Sequence, residues 1–101
     1  MKESITDEII VEWDDKKNEI NKTKHGISFL TAAYVFADDS RVELFDILHS
    51  LDEDRYAVIG CVGKLLFVVY TMRGESIRLI SARIATKDEE EIYNEYNKGI
   101  N

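Results

Sequence analysis

Apolar and polar residues follow two different periods along this chain, and each change of period marks a predicted element. The apolar run Ile9 to Trp13 is typical of a short strand. Asp14 is a favourable helix N-cap, and Gly26 is a favourable helix end because glycine readily adopts the left-handed conformation. These signals predict a first helix near Asp15 to His25.

A second helix and a return to period two follow. Ser28 is a suitable N-cap for a helix over roughly Phe29 to Ala37, in which apolar residues recur at helical spacing. Beyond it, apolar and polar residues alternate from Val42 to Asp46, which predicts a strand. The segment Leu48 to Asp54 is predicted to be a loop.

The second half of the chain predicts a meander and a final helix. Three β-rich runs are joined by short glycine-containing links, which indicate hairpins. Thr86 is a suitable N-cap for a final helix through Asn97, and Ile92 and Tyr96 form an i, i+4 pair expected to dock it on the sheet. The three runs are Arg55 to Val62, Leu65 to Met72 and Ser76 to Ala85.

The predicted order β-α-α-β-β-β-β-α separates strands from helices. It places the chain in the α+β class, with two N-terminal helices and one C-terminal helix packed on a small antiparallel sheet. A length of 101 residues, without proline or a low-complexity linker, predicts a single domain over residues 1–101. Residues 1–8 are a candidate for a flexible acidic tail.

Composition narrows the function classes. A formal net charge of -7 argues against a general nucleic-acid binder, although lysines cluster early and arginines cluster late. No apolar run approaches the roughly 20 residues of a membrane span, and no signal peptide is recognisable. With one cysteine, the chain is expected to be cytoplasmic and without an internal disulfide.

The candidate chemistry is a cationic site without a metal or cofactor. The sequence contains no metal-ligand motif, no P-loop, no dinucleotide fingerprint and no nucleophile motif. Lys17, Asn21 and Lys24 share one face of the first helix, with His25 at its edge. RNA cleavage needs a base, an acid and fixed cations, and an imidazole with lysines can supply them.

Several candidates also have a structural alternative. His25 could instead satisfy a free carbonyl and the helix dipole. For Tyr93, only functional roles are expected: it could donate a proton or stack on a base. Arg83 could pair with an acid of the last helix. Alternation along the last strand separates Arg78 from Arg83 unless a bulge intervenes, and puts Ser81 on the same face as Arg83.

Two motifs resemble the BrnT family of toxins. The first runs from Val11 to Ala32 and contains Trp13-Asp14 and Lys24-His25-Gly26. The second comprises Arg55, the run Val69 to Gly74, the run Ile77 to Ala85, and Tyr93 in the final helix. The resemblance covers the chain from about Ile9 to Tyr96.

The resemblance implies a RelE/ParE-like fold and a type II toxin–antitoxin toxin. It implies a metal-independent endoribonuclease that inhibits translation and growth. It also implies a BrnA-like antitoxin partner that neutralises the toxin and supplies the only link to DNA. The alternative is a non-catalytic module of the same fold that chiefly holds a protein partner. The catalytic residues expected are Lys24, His25, Arg73, Ser81 and Arg83, and the RNA-binding residues expected are Lys17, Asn21, Arg78 and Tyr93.

Overall fold

The fold confirms the α+β class predicted from the pattern of the sequence. A computed structural model describes residues 1–45 and 54–99, so most of the predicted loop from Leu48 to Asp54 lies outside the described residues. No helix within the described ranges is long and apolar enough to cross a membrane. The elements are β1 (Lys2–Ser4), β2 (Ile10–Glu12), α1 (Asp15–His25), α2 (Phe29–Ala33), a 3₁₀ helix (Tyr34–Ala37), β3 (Val42–Phe45), β4 (Tyr56–Cys61), β5 (Leu65–Arg73), β6 (Ser76–Ile84) and α3 (Lys87–Lys98).

The strands form one six-stranded sheet in the order β1-β2-β6-β5-β4-β3. Strands β3 to β6 are antiparallel neighbours, as the predicted hairpins required, and Gly63 and Gly74 have positive φ in the links between β4, β5 and β6. Strand β2 instead pairs with β6 in parallel, so the sheet is mixed rather than antiparallel. A parallel contact joins strands that are distant in the chain, and no local turn signals it.

The N-terminus also differs from the expectation of a flexible acidic tail. Lys2–Ser4 form strand β1, which pairs antiparallel with β2. The pairing is closed by Met1, whose ammonium group donates to the Trp13 carbonyl while the Trp13 N–H donates to the Met1 carbonyl, both at 3.0 Å. The acidic composition of residues 1–8 led to the expectation of a flexible tail. Composition does not reveal whether a segment pairs with a neighbouring strand, and here Lys2–Ser4 pair with β2.

The caps predicted from sequence define the two N-terminal helices. The Asp14 carboxylate accepts from the Lys17 N–H at 2.9 Å, and Gly26 ends α1 with φ 73°. The Ser28 hydroxyl accepts from the Thr31 N–H, and α2 then tightens into the 3₁₀ helix.

The principal core lies between these helices and one face of the sheet. Its largest fully buried side chains include Phe29 from α2 and Leu66, Val68 and Leu79 from β5 and β6. These apolar side chains leave water together, which is the dominant favourable contribution to folding. Because successive strand side chains alternate between faces, Ile59 lies on the second face, where it is also fully buried and where α3 packs against β4.

Helix α3 is attached mainly through polar side chains. Its contacts come from Glu89, Tyr93 and Asn97, which are spaced four residues apart and so share one stripe. Ile92 and Tyr96 are 44% and 62% exposed, so the prediction that they dock the helix is wrong. The helical period identified an apolar pair on α3. Polar groups of the rest of the fold decided that the stripe of Glu89, Tyr93 and Asn97 faces inwards instead.

Candidate active site

Helix α1 and strand β6 enclose a small cleft that brings together several predicted site residues. The cavity has a volume of about 190 Å³. Because Lys17 and Lys24 come from one helical stripe with His25 at its edge, and Ser81 comes from the strand, the cleft joins the two halves of the sequence pattern. The lining residues are Lys17, Ile20, Asn21, Lys24, His25, Ile80 and Ser81.

The position of α1 is set by the side-chain amide of Asn21. Strand β2 leaves β6 after the Glu12–Arg78 pair, so the backbone edge at Ala82 has no strand beside it. Asn21 fills this gap: its Nδ2 donates to the Ala82 carbonyl at 2.8 Å and its Oδ1 accepts from the Ala82 N–H at 3.1 Å. Nδ2 also donates to the Ile27 carbonyl at 2.9 Å. Asn21 is buried and its amide is fully engaged, so it supports the cleft and does not have the free amide expected of an RNA-binding residue.

The cleft contains cationic groups without counter-ions. Within residues 1–45 and 54–99, Lys17, Lys24 and His25 make no hydrogen bond or ion pair through their side chains, whereas Lys22 lies 3.9 Å from Glu19. Lys24 and His25 also lie in the last turn of α1, where the helix dipole favours positive charge. The cleft is therefore a local electropositive site on an acidic protein.

A β-bulge in β6 changes which side chains share a face. Val69 pairs with Ser81 while its neighbour Tyr70 pairs with Leu79, which leaves Ile80 as an extra residue. Arg78 and Arg83 pair with residues four apart on β5 and therefore lie on the same face, together with Ser81. Strict alternation along the strand predicted that Arg78 and Arg83 lie on opposite faces unless a bulge intervenes. The bulge is present, so the two arginines share a face.

Arg83 is held by three partners, one of which is the Ile84 carbonyl, to which its Nη1 donates at 3.2 Å. Its guanidinium donates to both carboxylate oxygens of Glu89, at 2.8 and 2.9 Å, and lies 4.4 Å from the centre of the Phe67 ring. The hydrogen bonds to Glu89 raise the pKa of Arg83 further. Burial raises the pKa of Glu89, but the hydrogen bonds from Arg83 and Thr86 outweigh it, so that pKa is lowered. Pairing with an acid of the last helix was one of the alternatives for Arg83.

The other two predicted arginines lie away from the cleft. Arg78 faces Glu12, with 3.6 Å between its Nη1 and the Glu12 Oε1. Arg73 is exposed at the far end of β5, six residues from Phe67. At the rise of a strand this places Arg73 roughly 20 Å from Arg83 along the sheet, so one compact site does not contain both.

Tyr93 is also outside the cleft. Its hydroxyl donates to the Asp38 Oδ2 at 2.8 Å. Burial, together with the hydrogen bond to Asp38, raises the pKa of Tyr93 to about 12. The side chain therefore connects α3 to the segment before β3, a role that its place in the sequence motif did not reveal.

The described residues contain no ready-made metal ligand set. Across residues 1–45 and 54–99, no three His, Cys, Asp or Glu side chains come together as a potential site. His49, the second histidine, lies outside these ranges.

Comparisons with known proteins identify the family. The family model described as "Ribonuclease toxin, BrnT, of type II toxin-antitoxin system" matches residues 13–89. A crystal structure of the Brucella abortus ribonuclease toxin BrnT shares the fold, with a TM-score of 0.59 at 23% sequence identity over 76% of this chain and 96% of that one. No curated protein sequence matches. Since the family model spans most of the chain, including α1, strands β3 to β6 and the first turn of α3, the protein belongs to the BrnT family of ribonuclease toxins of type II toxin–antitoxin systems.

Proposed function

We propose that this protein is a metal-independent endoribonuclease whose active site is the cleft between α1 and the bulge of β6. The observation that carries the proposal is the grouping of Lys17, Lys24 and His25 beside Ser81 in one cavity. The two lysines have no counter-ions among the described residues. An RNA phosphate would supply the missing negative charge.

The chemistry requires one proton acceptor, one proton donor and stabilisation of the phosphate. The 2′-oxygen attacks the adjacent phosphorus, its proton passes to a base, and the P–O5′ bond breaks as the 5′-oxygen takes up a proton. His25 is proposed to carry one of these proton transfers. Lys17 and Lys24 stabilise the additional negative charge on the phosphorane, and the Ser81 hydroxyl donates to a phosphate oxygen. The products are a 2′,3′-cyclic phosphate and a 5′-hydroxyl.

The family supports a biological setting for this activity. A type II toxin is paired with an antitoxin protein. We infer that cleavage of RNA inhibits translation and growth, that a BrnA-like antitoxin neutralises it, and that DNA is contacted only through the antitoxin. The net charge of -7 supports a local RNA contact at the cleft over an extended one.

The direct test is cleavage of a labelled single-stranded RNA by the purified protein in EDTA. Wild type should leave 2′,3′-cyclic phosphate ends. His25→Gln should lower the rate by about 10²-fold or more, and Lys24→Gln by at least tenfold, because each removes a group acting in the transition state. The matched control is Lys22→Gln, which removes the same charge about 140° around the helix from Lys17 and should retain the wild-type rate.

Three outcomes would count against the proposal. If cleavage disappears in EDTA and returns with Mg²⁺, the enzyme depends on a metal ion and that part of the proposal is wrong. If His25→Gln and Lys24→Gln both keep full activity, the active site is not the cleft between α1 and β6. A wild-type protein that leaves RNA intact, but binds its antitoxin, is the non-catalytic module instead. Induced expression in bacteria adds the physiological readout, growth arrest relieved by His25→Gln.

A further inference from the structure

The guanidinium of Arg83 is already occupied by an acid of the same chain. Both carboxylate oxygens of Glu89 accept from it at 2.8 and 2.9 Å, and the Phe67 ring lies beneath it. A phosphate also presents paired oxygens, and arginine binds carboxylates and phosphates with the same bidentate geometry. The contact made by Glu89 is therefore one that a phosphate oxygen pair could replace.

Helix α3, which carries Glu89, has few buried contacts with the rest of the fold for a helix of 12 residues. No residue of α3 is buried, and none belongs to the principal hydrophobic core. Apart from the Arg83 pair, the hydrogen bonds that join its side chains to other elements within the described residues run from the Tyr93 hydroxyl to Asp38 and from the Asn97 amide to the Ser40 carbonyl. An element with few buried apolar contacts opens locally at a smaller free-energy cost than the core.

The charge of α3 opposes RNA in the same place. Asp88, Glu89 and Glu90 form its first turn, where they complement the helix dipole. Of these three, Glu89 contacts Arg83, on the face of β6 that also bears Ser81 of the cleft. An RNA strand leaving the cleft along β6 would meet these negative charges first.

We propose that Glu89 competes with an RNA phosphate for Arg83, which makes α3 an autoinhibitory acidic helix. The inference rests on the proposed function, since RNA supplies the phosphate. In the free protein the Arg83–Glu89 pair is closed. RNA that extends beyond the cleft binds Arg83 only when Glu89 has been released.

The test is the affinity for a fluorescein-labelled 2′-O-methyl oligoribonucleotide, which has no attacking hydroxyl and is not cleaved. Glu89→Gln retains a side chain able to cap α3, because glutamine also serves in a capping box. The control is Glu90→Gln, the same charge change one residue away on an exposed side chain. Glu89→Gln should bind about two- to fivefold more tightly than Glu90→Gln, the range for relief of a partly exposed ion pair. Adding Arg83→Gln should abolish the gain.

A second measurement needs no variant. Hydrogen exchange of the α3 amides in wild type should accelerate when the oligonucleotide is added, because binding at Arg83 breaks one of the attachments of the helix. Unchanged or slower exchange in α3 would contradict the competition. Thermal melts of each variant confirm that the affinities are measured on folded protein.

The outcomes separate this inference from the proposed function. If wild type cleaves unmodified RNA while Glu89→Gln and Glu90→Gln bind equally, only the autoinhibitory role is overturned. A gain that persists in the Arg83→Gln background overturns it as well. An Arg83-dependent gain without cleavage overturns the ribonuclease site and supports the competition. No binding by any variant overturns both.

Discussion

At the scale of single residues, the side-chain amide of Asn21 makes the hydrogen bonds that a neighbouring β-strand would otherwise make to β6. Its amide pairs with both backbone groups of Ala82 where β2 no longer covers the edge of β6. Its place on the lysine-bearing stripe of α1 suggested contact with substrate. The open edge of β6 that engages the amide is 61 residues away in the chain, and the sequence pattern contains no sign of it.

Asn21→Asp should destabilise the fold strongly. The two donated hydrogen bonds disappear, and a carboxylate is placed against the carbonyls of Ile27 and Ala82. We expect a loss of about 2–4 kcal/mol in the free energy of unfolding, measured by urea denaturation. Asn94→Asp, at an exposed position of α3, is the control and should change stability little. Equal losses in the two variants would show that the buried amide contributes nothing special.

Asp38 should make stability depend on pH in the acidic range. Burial raises its pKa, but hydrogen bonds from the Cys61 and Ser40 N–H groups and from Tyr93 outweigh this and lower the pKa below the ordinary value of 3.8. A lowered pKa stabilises the fold above the unfolded value, and this contribution is lost as the pH falls through the folded value. Melting temperatures between pH 2 and 6 should therefore fall less steeply in Asp38→Asn than in Asp39→Asn, the exposed neighbouring control.

At the scale of elements, close packing and polar contacts decide how helices sit on the sheet. The 3₁₀ helix lies directly against β4 because Gly60 has no side chain: a Cβ there would be 2.8 Å from the Val35 Cβ. On the other face, α3 is held by a polar stripe instead of an apolar one. Both arrangements were absent from the sequence predictions, which used hydrophobic period as the guide to packing.

Gly60→Ala should force the 3₁₀ helix away from β4. The added methyl group would also lie 3.1 Å from the Val35 carbonyl oxygen, tighter than most real contacts of this kind. Overpacking at such a site costs about 1–3 kcal/mol, which chemical denaturation can measure. In Gly99→Ala the new Cβ would be 4.0 Å from its nearest neighbour, so stability should be unchanged. A neutral Gly60→Ala would mean that the two elements are free to separate.

Tyr93→Phe should weaken the attachment of α3 without altering its helical propensity. Loss of the hydrogen bond to Asp38 is expected to cost about 1–2 kcal/mol. Because the pKa of Tyr93 is raised to about 12, its stabilising contribution is complete below the ordinary value of 10.0 and is lost as the pH rises towards 12. The difference in unfolding free energy between wild type and Tyr93→Phe should shrink over that interval. Ile92→Ala, which alters an exposed side chain, should have a smaller effect at neutral pH.

At the scale of the whole molecule, a net charge of -7 coexists with a small cationic cleft. Overall charge acts at long range and lowers affinity for RNA, whereas unpaired lysines act on the phosphate they touch. Electrostatic attraction for a phosphate is therefore restricted to the cleft between α1 and β6. The acidic first turn of α3 limits it further on the neighbouring face.

The salt dependence of RNA binding should be shallow. Lys17 and Lys24 each neutralise one phosphate, whereas in wild type a phosphate at Arg83 only replaces the Glu89 carboxylate. The slope of log affinity against log salt concentration for single-stranded RNA should therefore be about -1.4. Glu89→Gln, which frees Arg83 for a third phosphate, should steepen it to about -2. Titration with the 2′-O-methyl oligonucleotide at several salt concentrations measures both. A wild-type slope of the size expected for six or more phosphates would rule out a small local site.

Local signals in the sequence predicted much of the architecture. Asp14, Gly26, Ser28 and Thr86 mark helix ends that the structure reproduces, because a cap is formed by residues a few positions apart. The alternation and glycine links of the last three strands likewise predicted the meander. Half of the cleft could be predicted, because helix geometry alone puts Lys17 and Lys24 on one face of α1 with His25 at its edge.

Interactions between distant parts of the chain were decided only by the tertiary structure. They include the parallel pairing of β2 with β6, the bulge at Ile80 that puts Arg78 and Arg83 on one face, and the distance of Arg73 from Arg83. Period and capping depend on neighbouring residues and can be seen in the sequence. Register, edge coverage and the choice of ion-pair partner depend on which surfaces meet. The fold therefore determined that Arg83 is held by Glu89, while Lys17 and Lys24 have no counter-ion in residues 1–45 and 54–99.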